Sequence, residues 1–477
     1  MKFEDRLFQE AELSWDLERL YGKLTEAKQI GNLKTARLTS VEKAVLRGLL
    51  CSYSPKEIAT RLHWTLSSLR VELTRGLYRY IETLTARDLN TIKNWRDIVK
   101  WLEETEYKIP QSKQDWSEAP DIFSFYGREK ELAQLEKKII QDKYRLITLL
   151  GMGGIGKTTL AVKFAQQNKQ EFQYIIWRSL RHAPSLQEFL KDLLKFFNHN
   201  NLPTTIHEEI TLLIKYLRSS RCLLVLDNLE ALLDVNQLAG FYKEKYSNYS
   251  QLIRRVAEES HQSCLLLTSQ DEPVDMLFVR GNQVDSIQLG SLGDAAKEIL
   301  KEKGLSNSNC WQKLIERYQG NPLALKLVSA TIQELFAGSV VKFLEANTEL
   351  GVIVPTFFQE LLSEQFERLS NLEKEIMCTL AINRQPISLK QLQEHFKPQV
   401  GSSKLLATLI SLKRRSLIEV ISEVNQISFT LQPMVMKYIL TESARSPILS
   451  KVVRDSRPSL REGLSPGVSP GACKPRH

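Results

Sequence analysis

Residues 151–159 read Gly-Met-Gly-Gly-Ile-Gly-Lys-Thr-Thr, and few other nine-residue segments constrain a fold so tightly. Four glycines among the first six residues let the backbone curl so that successive N–H groups point at one spot. Together with the start of a following helix, those donors form a cradle for a diphosphate. Lys157 supplies a mobile positive charge for terminal phosphates, and the Thr158 hydroxyl is placed to hold Mg²⁺. The motif needs a strand before it and a helix after it. Arg145-Leu-Ile-Thr-Leu-Leu150 is strand-like, and Leu160-Ala-Val-Lys-Phe-Ala165 has helical spacing. The backbone donors of Gly151, Gly153, Gly154, Ile155, Gly156 and Thr159 complete the candidate nucleotide site.

The chain has 477 residues, so the loop occupies one of about three domains. Apolar residues make up 42% and charged ones 25%, enough to build soluble cores. No apolar run approaches the roughly 18 residues of a membrane helix, which predicts no membrane partner. Six scattered cysteines without a CxxC pair predict a cytoplasmic chain and no zinc site. The net charge is +9, and seven Lys/Arg against three Asp/Glu from Glu442 onward concentrate much of it there.

Between Phe125 and Leu289 apolar runs alternate with helical segments, as in a parallel α/β sheet. The predicted strands are Leu146–Leu150, Tyr174–Trp177, Cys222–Leu226, Cys264–Thr268 and Val284–Leu289. One of them, Cys222-Leu-Leu-Val-Leu-Asp227, ends in a carboxylate. Asp227 is thereby a second Mg²⁺ group at the edge where such sheets bind ligands, and a candidate catalytic residue.

Tyr126-Gly-Arg-Glu129 before the loop and Gly320-Asn-Pro-Leu-Ala-Leu325 after it extend the set. Over residues 123–440 the chain resembles the NB-ARC family of STAND-type P-loop ATPases. The resemblance implies ADP or ATP held with Mg²⁺. It places Phe125, Tyr126, Gly127 and Arg128 against the adenine and lets Pro322 close over the nucleotide. It also implies a multidomain α and α/β architecture. Residues 1–102 form a helical domain with a helix-turn-helix, and 103–122 a linker. A P-loop nucleotide-binding domain at 123–290 is followed by a helical domain at 291–365 and a winged helix at 366–441. The remaining 442–477, rich in Ser, Pro and Gly, are expected to be a disordered tail.

Three positions depart from the family pattern. Asn228 stands where a second acid acts as base; it can orient water but cannot accept its proton. Glu230 is the substitute base. Thr268-Ser269-Gln270 ends in glutamine where the family has an arginine that senses the γ-phosphate. Gln270 can donate a hydrogen bond without charge, and Arg178 or Arg181, expected to be solvated, could compensate. Leu431-Gln432-Pro433 lacks the histidine that reads ADP. These departures imply a switch with slow or absent hydrolysis.

Leu38–Leu84 resembles a helix-turn-helix of the response-regulator type, like that attached to cyanobacterial-type NB-ARC and vWA-MoxR-associated proteins. Ile58, Ala59 and Leu62 are expected inside; Arg70, Arg75 and Arg79 lie on the next helix but form no single stripe. Protein docking through these helices is the first expectation, DNA binding the second, with nucleotide-dependent self-association in the family manner.

Overall fold

The apolar runs around the glycine loop become strands because each is covered on both faces, so no polar alternation interrupts them. The computed structural model describes residues 3–30, 37–105, 107, 113–197, 203–235, 237–281, 283–346, 353–397, 399–423 and 426–443. The tail expected beyond Ser443 lies outside them. The chain divides into two units, Met1–Ser112 and Lys113–His477.

The first unit is helical: α1 (Leu17–Ile30), α2 (Ser40–Leu50), α3 (Pro55–Leu62), α4 (Leu66–Glu72), α5 (Tyr78–Leu84) and α6 (Trp95–Glu103). Thr39 caps α2 in a box with Glu42, and Ser54 caps α3 with Glu57 and Pro55 at the first turn. A π-turn at Leu73–Leu77 joins α4 to α5. Ile58, Ala59 and Leu62 are buried. The tight α2–α3 approach is made at Gly48, where an added Cβ would lie 2.8 Å from Ile58 Cγ1.

The second unit opens with β1 (Lys113–Asp115) and α7 (Glu129–Glu136). The 103–122 segment is therefore more than a linker: β1 adds an edge strand, parallel to β3, to the main sheet. Three polar residues carry no periodicity, so sequence pattern misses such a strand. Then follow β2 (Leu146–Leu150), α8 (Lys157–Gln167), β3 (Tyr174–Ser179), α9 (Leu186–Phe196), α10 (Ile206–Ser219) and β4 (Cys222–Asp227). The α/β part closes with α11 (Asn248–Glu258), β5 (Cys264–Ser269), α12 (Met276–Val279) and β6 (Val284–Gln288).

These strands form a parallel sheet in the order β1-β3-β4-β5-β2-β6. Ile147, Leu149, Trp177 and Val225 pack under Leu160 and Phe164 on one face. Leu146, Ile176, Leu224 and Leu267 meet Leu190, Leu213 and Leu252 on the other. Register sets the site: Leu150 pairs with Ser269, Leu226 with Leu267, and Ser179 with Asp227. The C-terminal ends of β2, β4 and β5 thus arrive together.

Helices resume with α13 (Ala296–Glu302), α14 (Trp311–Arg317), α15 (Pro322–Phe336), α16 (Val340–Ala346), α17 (Thr356–Glu367) and α18 (Asn371–Asn383). After β7 (Ile387–Ser388) come α19 (Leu389–Phe396), α20 (Ser402–Arg414), β8 (Glu419–Glu423), β9 (Gln426–Thr430) and α21 (Pro433–Ser443). The three short strands form an antiparallel sheet in the order β7-β9-β8. One core, from Met152 through Leu325 and Phe358 to Phe429, joins this block to the glycine loop.

Candidate functional site

β2 is buried along its length and releases the chain into the loop at Gly151. Gly154 has φ +75°, and a Cβ there would lie 2.6 Å from Leu323 Cβ, so a side chain is excluded on both counts. Gly156, at φ +101°, starts α8 with a left-handed residue and open space beside it. The Lys157 ammonium folds back over the loop and donates to Gly151 O at 2.8 Å and Met152 O at 3.1 Å. Burial pushes its pKa down, opposed by Glu230, Asp227 and Asp271 in that order.

Thr158 and Asp227 meet: Thr158 Oγ1 donates to Asp227 Oδ1 at 2.8 Å, and Thr268 Oγ1 donates to the same oxygen at 2.5 Å. Burial raises the Asp227 pKa, while the two hydroxyls pull it back. A hydroxyl and a carboxylate are the hard oxygen donors that Mg²⁺ takes alongside phosphate oxygens, so the pair fits that ion. When bound, Mg²⁺ would neutralise phosphate charge.

A carboxyl with a raised folded pKa favours the folded state below its unfolded value, about 3.9. That contribution is lost as pH climbs through the folded pKa. Asp227→Asn keeps an acceptor for both hydroxyls without the buried charge. It is expected to stabilise ligand-free protein by about 1 kcal/mol at neutral pH, a gain that fades at acid pH. The same variant is expected to bind nucleotide no more tightly with Mg²⁺ than without it. Melting curves at pH 4 and 7.5, with titrations in Mg²⁺ and EDTA, check both halves.

Asn228 turns left-handed, at φ 65°, and its N–H donates to Thr268 Oγ1 at 3.0 Å. Glu230 is 9% exposed and accepts the Gln270 N–H at 3.3 Å, so it braces the end of β5. Gln270 Nε2 lies 3.7 Å from the position a Gly153 Cβ would take.

The segment before the loop divides its side chains between two cores. Phe125 packs against the sheet core with Lys163 Nζ 5.7 Å from its ring centroid. Tyr126 packs against the helical core, donates to Glu302, and has Lys326 Nζ 5.4 Å from its ring. Gly127, at φ +57°, lies where a Cβ would come within 2.6 Å of Ala295 Cβ. Arg128 clamps the loop, donating to Ile155 O at 3.1 Å and Gly290 O at 2.7 Å.

Pro322 occupies the first position of α15 beside a residue the sequence reading passed over. Asn321 caps α15 through Oδ1, and its Nδ2 donates to Gly153 O at 3.1 Å. An Asn-Pro pair at a helix start signals the cap; nothing local signals the loop contact. Also missed was Asp271, whose Oδ2 accepts from Arg368 at 2.7 Å and Arg415 at 3.0 Å.

One expectation is corrected. Arg178 is not solvated: it is 7% exposed and pairs with Asp115 and Asp192, both at 2.7 Å, pinning the edge strand β1. Arg181 alone stays exposed. Gln432 donates to Glu419 Oε1 at 3.4 Å and lines a cavity of about 1040 Å³ with Met152, Ile155 and Asn321. Lys157, Thr158 and Asp227 do not line that cavity, which lies beside the phosphate chemistry.

Residues 128–309 match the NB-ARC domain family. An uncharacterised WD-repeat-containing protein of Nostoc is 44% identical over 341 residues, which are 68% of this chain and 27% of that protein. A disease resistance protein of Vitis rotundifolia is 25% identical over 50% of this chain and 17% of its own length. The chain thus spans about a quarter or less of these relatives. A Walker-type ATPase of Pyrococcus abyssi is 17% identical with a TM-score of 0.44, over 66% of this chain and 96% of that one. Among the described residues no helix is long and apolar enough to cross a membrane. The matched span begins at the clamp Arg128 and contains the loop, Asp227 and Gln270, and over residues 128–309 this chain carries an NB-ARC domain.

Proposed function

We propose that the chain is an ADP/ATP-binding signalling switch with slow or absent hydrolysis. One observation carries the reading. The groups that would hold phosphate and Mg²⁺ (Lys157, Thr158, Asp227) converge, while those that would drive hydrolysis are amides, Asn228 and Gln270. Glu230, the remaining candidate base, is occupied with a backbone N–H. Gly151, Gly153, Gly154, Ile155, Gly156 and Thr159 act through the loop backbone and α8, and Phe125–Arg128 with Pro322 flank the base. In this reading 123–290 binds nucleotide and 291–365 is the helical lid. In the same reading 366–441 is a winged helix, a reading supported by the small sheet beside α18–α20.

Residues 1–102, with a helix-turn-helix over Leu38–Leu84, would dock a protein partner in the cytoplasm, with nucleotide-dependent self-association. DNA binding is the second reading, favoured by Arg70, Arg75 and Arg79. All three are exposed, Arg70 on α4, Arg75 in the π-turn and Arg79 on α5. Freshly purified protein, denatured and chromatographed, is expected to release near-stoichiometric ADP. Turnover on the order of one per second with Mg-ATP would instead make it a working ATPase. Salt-dependent, sequence-selective binding to duplex DNA would move the effector role to the second reading.

A further inference from the structure

α17 lies over the mouth of the glycine loop. Leu361 Cδ1 is 3.9 Å from where a Gly153 Cβ would sit. One turn later on the same face, Gln365 is 8% exposed and its Nε2 donates to Gln270 Oε1. That bond is the contact that orients the Gln270 amide. Its oxygen is taken up by α17, so its NH₂ is left toward Gly153. An amide turned the other way would present a carbonyl to an anion, which repels it.

The backbone around the pair is held from the same side. The Glu272 N–H donates to Arg414 O at 3.1 Å, Ser416 Oγ donates to Gln270 O at 3.5 Å, and Arg368 donates to both Glu230 O at 3.1 Å and Asp271 at 2.7 Å.

We propose that Gln365 is a positioning residue for the terminal phosphate of a bound nucleoside triphosphate, orienting the Gln270 amide so that its NH₂ faces the Gly151–Lys157 loop. The proposal rests on the nucleotide reading above and extends it: discrimination between di- and triphosphate depends on a helix 95 residues beyond Gln270. α17 belongs to the C-terminal block, so the same contact couples the third phosphate to that block's placement. Any departure of α17 from the loop frees the Gln270 amide and costs the preference.

The test uses the full chain and Mg²⁺ titrations with ADP and with a non-hydrolysable ATP analogue. Gln365→Leu is expected to lower affinity for the analogue about tenfold and for ADP less than about twofold, since only the triphosphate gains the charge-assisted bond. Gln365→Glu preserves shape but offers only acceptors. It turns the Gln270 NH₂ toward α17, and its loss for the analogue is expected to exceed that of the leucine variant.

Adding Gln270→Leu to either is expected to bring little further loss, because the two glutamines act as one unit. Equal loss for both nucleotides, no loss, or additive effects of the two positions would overturn the proposal. If Gln365→Leu folds poorly, Gln365→Met gives the same comparison. Retained ADP binding in Lys157→Ala would mean that the nucleotide reading itself had failed, separately from Gln365.

Discussion

Lys157→Ala is expected to weaken ADP binding at least about a hundredfold while leaving the ligand-free protein close to its original melting temperature. In the folded chain the ammonium is 8% exposed and satisfied by two loop carbonyls. Burial lowers its pKa, so the charge is held at a cost that the carbonyls and neighbouring acids offset. Removing it spares the ligand-free protein that desolvation. A bound diphosphate loses two charge-assisted hydrogen bonds, worth about 1.5 kcal/mol or more each, and 3 kcal/mol is roughly a hundredfold in Kd. Lys157→Arg is expected not to rescue, since a planar fork cannot fold back into a space shaped for a point donor. Calorimetric titration with ADP decides the matter; an unchanged Kd would place nucleotide binding elsewhere.

Arg415→Ala is expected to be the most destabilising single change at the junction of the sheet and the C-terminal block. Arg415 is 2% exposed, between Asp271 at 3.0 Å and Glu373 at 3.2 Å, with a third bond to Gln237 O at 2.7 Å. Asp271 keeps Arg368, but Glu373 is 0% exposed and retains only hydroxyl and backbone partners: Ser411 at 2.6 Å, with Ser370 Oγ and N–H at 2.8 Å. Breaking a buried pair by deleting one partner costs about 3–5 kcal/mol. For a unit of this size that is roughly 5 °C in melting midpoint. Arg415→Met combined with Glu373→Gln removes the stranded charge, while Asp271 keeps Arg368, and is expected to recover most of the loss. Scanning calorimetry separates the outcomes: a single variant that melts like the wild type would show the ion network to be energetically idle.

The strands were readable because β2, β4 and β5 are buried on both faces and leave uninterrupted apolar runs. Each of the five predicted strands lies within two residues of its expected bounds. The loop was readable because its chemistry resides in consecutive residues. β1 was not: Lys113-Gln-Asp115 carries no apolar pattern, and its pairing rests on a neighbour about sixty positions away. Arg178 was misjudged for the same reason, since its partners Asp115 and Asp192 come from two other elements. Glu373 shows the limit well. Ser370-Asn-Leu-Glu373 reads locally as a capping box, and one carboxylate oxygen does cap α18. The other takes Ser411 and Arg415, which no local pattern reveals.

The parallel sheet, the glycine loop, Lys157 and Thr158 on the first turn of α8, and Asp227 at a strand end are all legible along the chain. All follow from residues adjacent in the chain, where backbone freedom, burial and side-chain donors are local properties. Long-range packing is what makes Arg128 and Asn321 clamp the loop, joins Asp271 to Arg368 and Arg415, and brings Gln365 to Gln270. Buried polar groups take as partners whatever the packing of distant elements brings within hydrogen-bond range, and that choice is made by the assembled cores.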